Sequence, residues 1–430
     1  MERSDVTDIA ETPPAGSEFA DGWKLLVASF IGVAIGLTAM PFYTYGVFAT
    51  PLQAEFGWSR GAVQLPLLFQ TMGALLLLPL VGWSTDKYGA RPVALLSLVT
   101  YFLAFSSFSL LTDNIYQYYA TAFLLGACGA GTMPITWTKA IIGAFNRHRG
   151  IALGLALMGT GLTGFVAPAA ANWFIEDHGW RSAYLMLTGA SAIIGLPVVF
   201  LLFHERRNRG VENTETLTGV SFRKAISGYR FWLIAVAFFV ISFGIGGSIP
   251  NLFPLFTGEG FAPATAAGIL SLIGLSVIFG RIVTGLLLDR FWAPAIAAGL
   301  MALPAISCVL LMISPGELRT AYIATILIGF AAGAEFDIIA YLASRYFGSL
   351  NYSKIYSGLF VSFAIGAAAA PAVFGAVYDQ TGSYDAIFGI SAGLFLFGSL
   401  LLLFLGRYPN FNPVIENAED TLTERTYVSG

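Results

Sequence analysis

Three charged side chains sit where charge is costly. Arg281 lies about two turns before Asp289 inside a long apolar stretch. Glu335 and Asp337 interrupt another, in Gly329-Phe-Ala-Ala-Gly-Ala-Glu335-Phe-Asp337. An arginine at the centre of a membrane-spanning helix costs about 2.5–3.5 kcal/mol on insertion scales, so it must face the interior and find an anion. That anion is either a carboxylate on a neighbouring helix or the carboxylate of a bound molecule. A planar guanidinium suits both, because it donates two parallel hydrogen bonds. Residues at i and i+2 point about 200° apart on a helix, so Glu335 and Asp337 are expected to diverge. One is expected to face a cavity and the other to pack on a neighbour. A carboxyl in a low-dielectric site can hold a proton near neutral pH. The competing role for this pair is structural, with Arg281 as a partner. Lys139 is a further intramembrane cation whose stem either snorkels to the surface or turns inward.

The elements that must carry these charges follow from composition. The chain has 430 residues, of which 56% are hydrophobic and only 11% charged. Its mean hydropathy is +0.73. A soluble globule carries about 25% charged residues, so this is an integral membrane protein. Recurrent apolar runs longer than about 18 residues point to spanning helices rather than barrel strands. Twelve spans are expected, near 24–50, 61–82, 92–111, 116–141, 150–172, 182–203, 230–256, 265–288, 293–313, 319–342, 356–377 and 385–405. Residues 1–23 and 407–430 read as polar tails, and 204–230 reads as a basic linker between two halves, 24–203 and 231–406. The acidic start lacks a basic segment before an apolar core, so no signal peptide is expected there. With both termini cytoplasmic, only Arg60, Arg181 and Arg319 of the 22 Lys and Arg residues fall in outer loops, and most of the rest lie inside. The membrane is expected to be the inner, or plasma, membrane. Cys128 and Cys308 are expected to pack as small apolar residues, and His148, His178 and His204 fall in loops.

The halves repeat one another. Gly82-Trp-Ser-Thr-Asp86-Lys87 and Gly285-Leu-Leu-Leu-Asp289-Arg290 share one pattern at an offset of 203 residues. The same offset takes Pro51-Leu52 to Pro254-Leu255, Pro168 to Pro371 and Gly179 to Gly382. Two copies of one unit in the same order are the signature of a duplicated transporter. Applied to the charges, the offset maps Arg281 onto Leu78, Glu335 onto Thr132 and Asp337 onto Pro134. Asp86 and Asp289 match, which assigns them to scaffold and gating; the unmatched charges are assigned to substrate and coupling.

The string Gly82-x-x-x-Asp86-Lys87-x-Gly89-x-Arg91 resembles the signature loop between helices two and three of the major facilitator superfamily. Within it, three stretches are similar to the monocarboxylate porter and oxalate/formate antiporter group. They are Asp21-Gly22-Trp23, the segment from Phe145 through Arg147 and Arg149 to Gly159, and the segment from Tyr45 through Pro51 to Trp58-Ser-Arg60. The resemblance implies an all-α membrane protein with twelve helices in two pseudo-symmetric six-helix bundles around a cavity that opens alternately to each side. It also implies that the arginine of helix eight, here Arg281, clamps a substrate carboxylate. The chain departs from the group in three places. Val277 stands where animal members carry an Asp, Phe42 follows Pro41 where they carry a Lys, and Phe360, Phe363 and Ala364 stand where dicarboxylate antiporters carry a second cation. One central cation favours a monoanion over a dianion.

The expected activity is therefore secondary transport of a small organic monoanion, coupled to a proton or exchanged for another anion. Tyr43, Tyr45, Phe42, Trp137, Asn251 and Phe360 are candidates beside Arg281 for contacting it, and the aromatics hint at an apolar or aromatic body. Gating falls to Gly82, Asp86, Lys87, Gly89, Arg91, Asp289, Arg290, Arg147 and Arg149. The alternatives are the same fold carrying a sugar or drug, and, remotely, a membrane sensor. The short loops hold no catalytic, metal or cofactor motif. No enzyme activity, cofactor or nucleic-acid partner is expected, and the chain is expected to act as a monomer.

Overall fold

The computed structural model describes residues 16–145, 148–204, 219–348, 350–409 and 411. Among them are sixteen α-helices. In the first half of the chain these are α1 (Gly16–Ile35), α2 (Met40–Phe56), α3 (Arg60–Gln64), α4 (Pro66–Tyr88), α5 (Ala90–Ser106), α6 (Ile115–Gly129), α7 (Pro134–Ala144), α8 (Arg149–Leu157) and α9 (Gly159–Leu202). The second half holds α10 (Phe222–Ser227), α11 (Tyr229–Gly258), α12 (Pro263–Leu288), α13 (Ala293–Ile313), α14 (Leu318–Phe347), α15 (Tyr352–Thr381) and α16 (Asp385–Leu403).

Ten stretches among the described residues are long and apolar enough to cross a bilayer. Two local features separate this number from the twelve spans expected. The stretch Gly150–Leu202 runs as one, although it holds the expected fifth and sixth spans. Gly179 divides it, with φ +80° and ψ 162°, a backbone shape that glycine takes without steric cost. The expected fourth span is split by a short 3₁₀ turn at Ala130–Thr132, and Pro134 opens α7. Neither α6 nor α7 is then long enough alone. Large apolar side chains such as Leu96, Leu103 and Ile193 point outward, each more than half exposed. In hydrocarbon such a surface carries no penalty.

The described residues form two compact units. The first lies within Met1–Phe42, Met72–Thr163 and Phe174–Arg209. Here the Phe145 ring sits against Gly22, and Glu18 accepts from both the backbone N–H of His148, at 3.2 Å, and its Nδ1, at 3.1 Å. Two of the stretches that carry the family resemblance thus pack on one another. Thr132 accepts from the Leu37 N–H at 3.0 Å through its hydroxyl.

The second unit lies within Tyr43–Thr71, Gly164–Trp173 and Gly210–Gly430. It pairs α11 with α15, α12 with α14 and α13 with α16. The α12–α14 pair is the one that positions charge. A Cβ at Gly280 would lie 2.2 Å from the Phe330 carbonyl oxygen, and one at Gly333 would lie 2.2 Å from that of Val277. The two helices therefore meet backbone to backbone, as small residues allow in lipid. Arg281 follows one contact point, and Glu335 and Asp337 follow the other by half a turn to one turn.

Candidate functional site

Arg281 leaves α12 into the interior of the second unit and is only 6% exposed. Its Nη1 donates to Asp337 Oδ1 at 3.1 Å. Its Nε is buried and has no hydrogen-bond partner. Asp337 keeps 30% of its side chain exposed, so the pair is open on the carboxylate side. Glu335 is buried, and its Oε2 also lacks a partner. It lies within electrostatic reach of Arg281 but is not hydrogen-bonded to it. The partly exposed acid is thus bonded to Arg281, and the enclosed acid lies only within its electrostatic reach. A buried donor and a buried acceptor left unpaired cost about 1–3 kcal/mol each, more where the group is charged. A buried polar atom without a partner calls for an explanation.

Two tyrosines complete the cluster. Tyr43, from α2, lies within electrostatic reach of Arg281 and Glu335, and its ring lies beside Gly164 where that residue meets Gly274. Tyr356, from α15, lies within reach of Asp337 and Arg281. It was not among the sequence candidates. The available signal was its position one turn before Phe360 on the same face. Tyr356 and Phe360 are stacked at 6.2 Å, and Phe360 continues to Phe336 at 6.1 Å and Phe363 at 5.8 Å. Phe336 directly precedes Asp337, so an aromatic wall adjoins the ion pair.

The other candidates make the following contacts. Tyr45 donates to the Val63 carbonyl at 3.2 Å. Asn251 donates to the carbonyls of Gly247, at 2.8 Å, and Pro371, at 3.4 Å. Its Oδ1 accepts from Tyr384 at 3.0 Å and Gln64 at 3.4 Å. Its amide is therefore committed to joining helices. Trp137 belongs to the first unit, where it is fully buried, donates to the Thr132 carbonyl at 2.9 Å and packs on Gly32 and Phe203. Phe42, half-buried, also belongs to the first unit. Lys139 is exposed on α7.

Of the gating candidates, Gly82 lies in open space near the end of α4. Lys87 holds its ammonium 4.8 Å from the Trp83 ring centre and 5.2 Å from that of Tyr88. Gly89, with φ +90°, precedes α5. Arg91 donates to the Phe200 carbonyl at 2.6 Å, tying the start of α5 to the end of α9. Asp289 and Arg290 are exposed at the end of α12, with Asp289 within electrostatic reach of Tyr341. The Asp86 and Arg149 side chains and all of Arg147 lie outside the described residues.

The chain is similar to known transporters. Monocarboxylate transporter 13 of Bos taurus is 26% identical over 426 residues, covering 96% of this chain and 95% of that protein. Monocarboxylate transporter 12 of Xenopus laevis is 23% identical, covering 96% of this chain and 93% of the relative. An MFS-type transporter of Gibberella moniliformis is 24% identical over 65% of each chain. A sequence model of the Major Facilitator Superfamily matches residues 31–350, most of the apolar helices and all three intramembrane charges of the second unit. The chain belongs to the major facilitator superfamily of transporters.

Proposed function

We propose that this protein is a secondary active transporter that carries a small organic monoanion, with Arg281 holding the carboxylate. The observation that carries the reading is the Arg281–Asp337 pair. A buried guanidinium has one nitrogen bonded to a partly exposed internal carboxylate and another left unpaired. A substrate carboxylate offers the same oxygens as Asp337, in the bidentate form that the guanidinium suits. The names of the similar proteins support a monocarboxylate. The aromatic wall of Tyr356, Phe360 and Phe336 suits an apolar or aromatic body behind that carboxylate.

Coupling follows from charge balance. When a substrate anion takes Arg281, Asp337 is left without its cation, and a proton restores the balance. Glu335, enclosed with an unpaired oxygen, is the second proton site. The carrier has twelve spans in two six-helix bundles, 24–203 and 231–406, alternates between two open states, and keeps both termini in the cytoplasm.

Uptake of labelled monocarboxylic acids into proteoliposomes, with and without an inside-alkaline pH gradient, tests this. Arg281→Ala is expected to lower uptake at least about tenfold, the worth of one hydrogen bond to a charged group. Wild-type uptake of the true substrate by a monodisperse Arg281→Ala protein would remove the carboxylate clamp and favour a neutral or cationic solute. Uptake that ignores the pH gradient and is driven by an internal anion would make the carrier an exchanger.

A further inference from the structure

A second polar network lies within the second unit, around Arg60, and the transport site does not use it. The carboxylate of Asp379, on α15, accepts from the backbone N–H of Arg60 at 2.9 Å and of Gly61 at 2.8 Å. These are the first donors of α3, which no residue of its own helix can satisfy. Ser59 accepts from Ala62 at 3.3 Å, so Asp379 supplies in trans the part of the cap that Ser59 leaves open. The Arg60 guanidinium lies 3.5 Å over the Tyr378 ring and donates to the Tyr384 hydroxyl at 3.0 Å. Tyr384 donates in turn to Asn251, which also accepts from the amide of Gln64 on α3. Gln64, Asn251 and Tyr384 are all buried. The backbones approach closely as well. A Cβ at Gly375 would lie 2.6 Å from the Arg60 carbonyl carbon.

The four bonds made by Arg60, Gly61 and Gln64 to Asp379, Tyr384 and Asn251 join residues 60–64 to residues 251–384, so they connect the first half of the chain to the second. We infer that Asp379, Arg60 and the Gly61–Gly375 contact form a latch that closes the Arg60 face of the carrier and must open for substrate to enter there. The inference rests on the alternating-access reading given above. Its design suits a reversible closure. The Asp379 cap is exposed, so on opening its carboxylate and the freed N–H groups pass to water at small net cost. The buried amide and hydroxyl links fix the register of the closed form.

The test reads accessibility without any substrate. Ala49 lines the recess beneath Arg60 and is 2% exposed. Ala49→Cys in a Cys128→Ala/Cys308→Ala background reports opening of this face to a membrane-impermeant maleimide. Asp379→Ala removes the trans cap, and Gly375→Val keeps the backbones apart. Each is expected to raise the labelling rate about tenfold, the effect of losing roughly one charge-assisted hydrogen bond. Labelling unchanged from the parent in monodisperse Asp379→Ala protein would overturn the latch. If that variant fails to fold, Gly375→Val decides by the same criterion. The labelling is read with no substrate present and the carboxylate clamp is read by uptake, so failure of the latch and failure of the clamp are distinguished.

Discussion

At the scale of single residues, the economy of Arg281 explains its surroundings. Its burial is tolerated because Asp337 neutralises it, yet the pair spends only part of the guanidinium. Asp337→Asn keeps an oxygen for Arg281 but cannot cycle a proton. It is expected to retain exchange of substrate between the two sides while losing accumulation driven by a pH gradient. Counterflow and gradient-driven uptake, measured on the same vesicles, separate the two; wild-type accumulation would remove Asp337 from coupling. Glu335→Gln tests the second proton site in the same assay. If both variants keep wild-type gradient dependence, protons are coupled elsewhere. These charges were legible in the sequence because an ionised group in an apolar run has few places to go. Tyr356 was not, since a tyrosine one turn from a phenylalanine carries no sign of the helix face it occupies. Trp137 is a candidate from its residue type and from its span, one of those the resemblance places around the cavity, and Asn251 is a candidate as a polar residue within a span. In the structure, one fills a helix contact and the other spends its amide on carbonyls and neighbouring side chains.

At the scale of elements, the α12–α14 crossing is what brings Arg281 to Asp337. The contact at Gly333 leaves no space for a side chain, because its Cβ would meet the Val277 carbonyl. Gly333→Val is expected to destabilise the protein by about 1–3 kcal/mol through overpacking. It should also shift Asp337 relative to Arg281, so substrate would no longer protect the variant from heat. A thermal-shift assay with and without carboxylate measures both; an unchanged melting temperature and undiminished protection would show that the crossing yields without effect. The helices themselves were legible from hydropathy. What it could not show was where a helix breaks inside an apolar run. The split at 130–134 leaves composition unchanged, and the turn at Gly179 depends on one positive φ. The repeat adds a physical point. Its offset maps Glu335 and Asp337 onto Thr132 and Pro134, the place where the first half breaks its helix. The second half keeps α14 continuous there and carries acids instead. Positions related by the offset thus differ in use, a helix break at 130–134 and a continuous helix carrying two acids at 335–337.

At the scale of the whole molecule, the distribution of Lys and Arg makes a prediction about orientation that needs no knowledge of substrate. Positively charged loops stay on the cytoplasmic side during insertion. In the proposed topology, Asp113 and Glu317 lie in outer loops, and His204 and Lys224 flank the inner linker. All four are exposed, so a cysteine there disturbs no core packing. In a Cys128→Ala/Cys308→Ala background, Asp113→Cys and Glu317→Cys are expected to react with a membrane-impermeant maleimide in intact cells. His204→Cys and Lys224→Cys should react only after the membrane is opened or inverted. The turn at Gly179 sharpens the experiment. If Gly150–Leu202 crosses twice, as twelve spans require, Asp177→Cys must label from the same side as Asp113→Cys. If it crossed once, Lys224→Cys and Asp113→Cys would change their relation, and both termini could not share a compartment. Labelling of His204→Cys in intact cells would therefore count against both the orientation and the twelve-span count, whatever the transported anion proves to be.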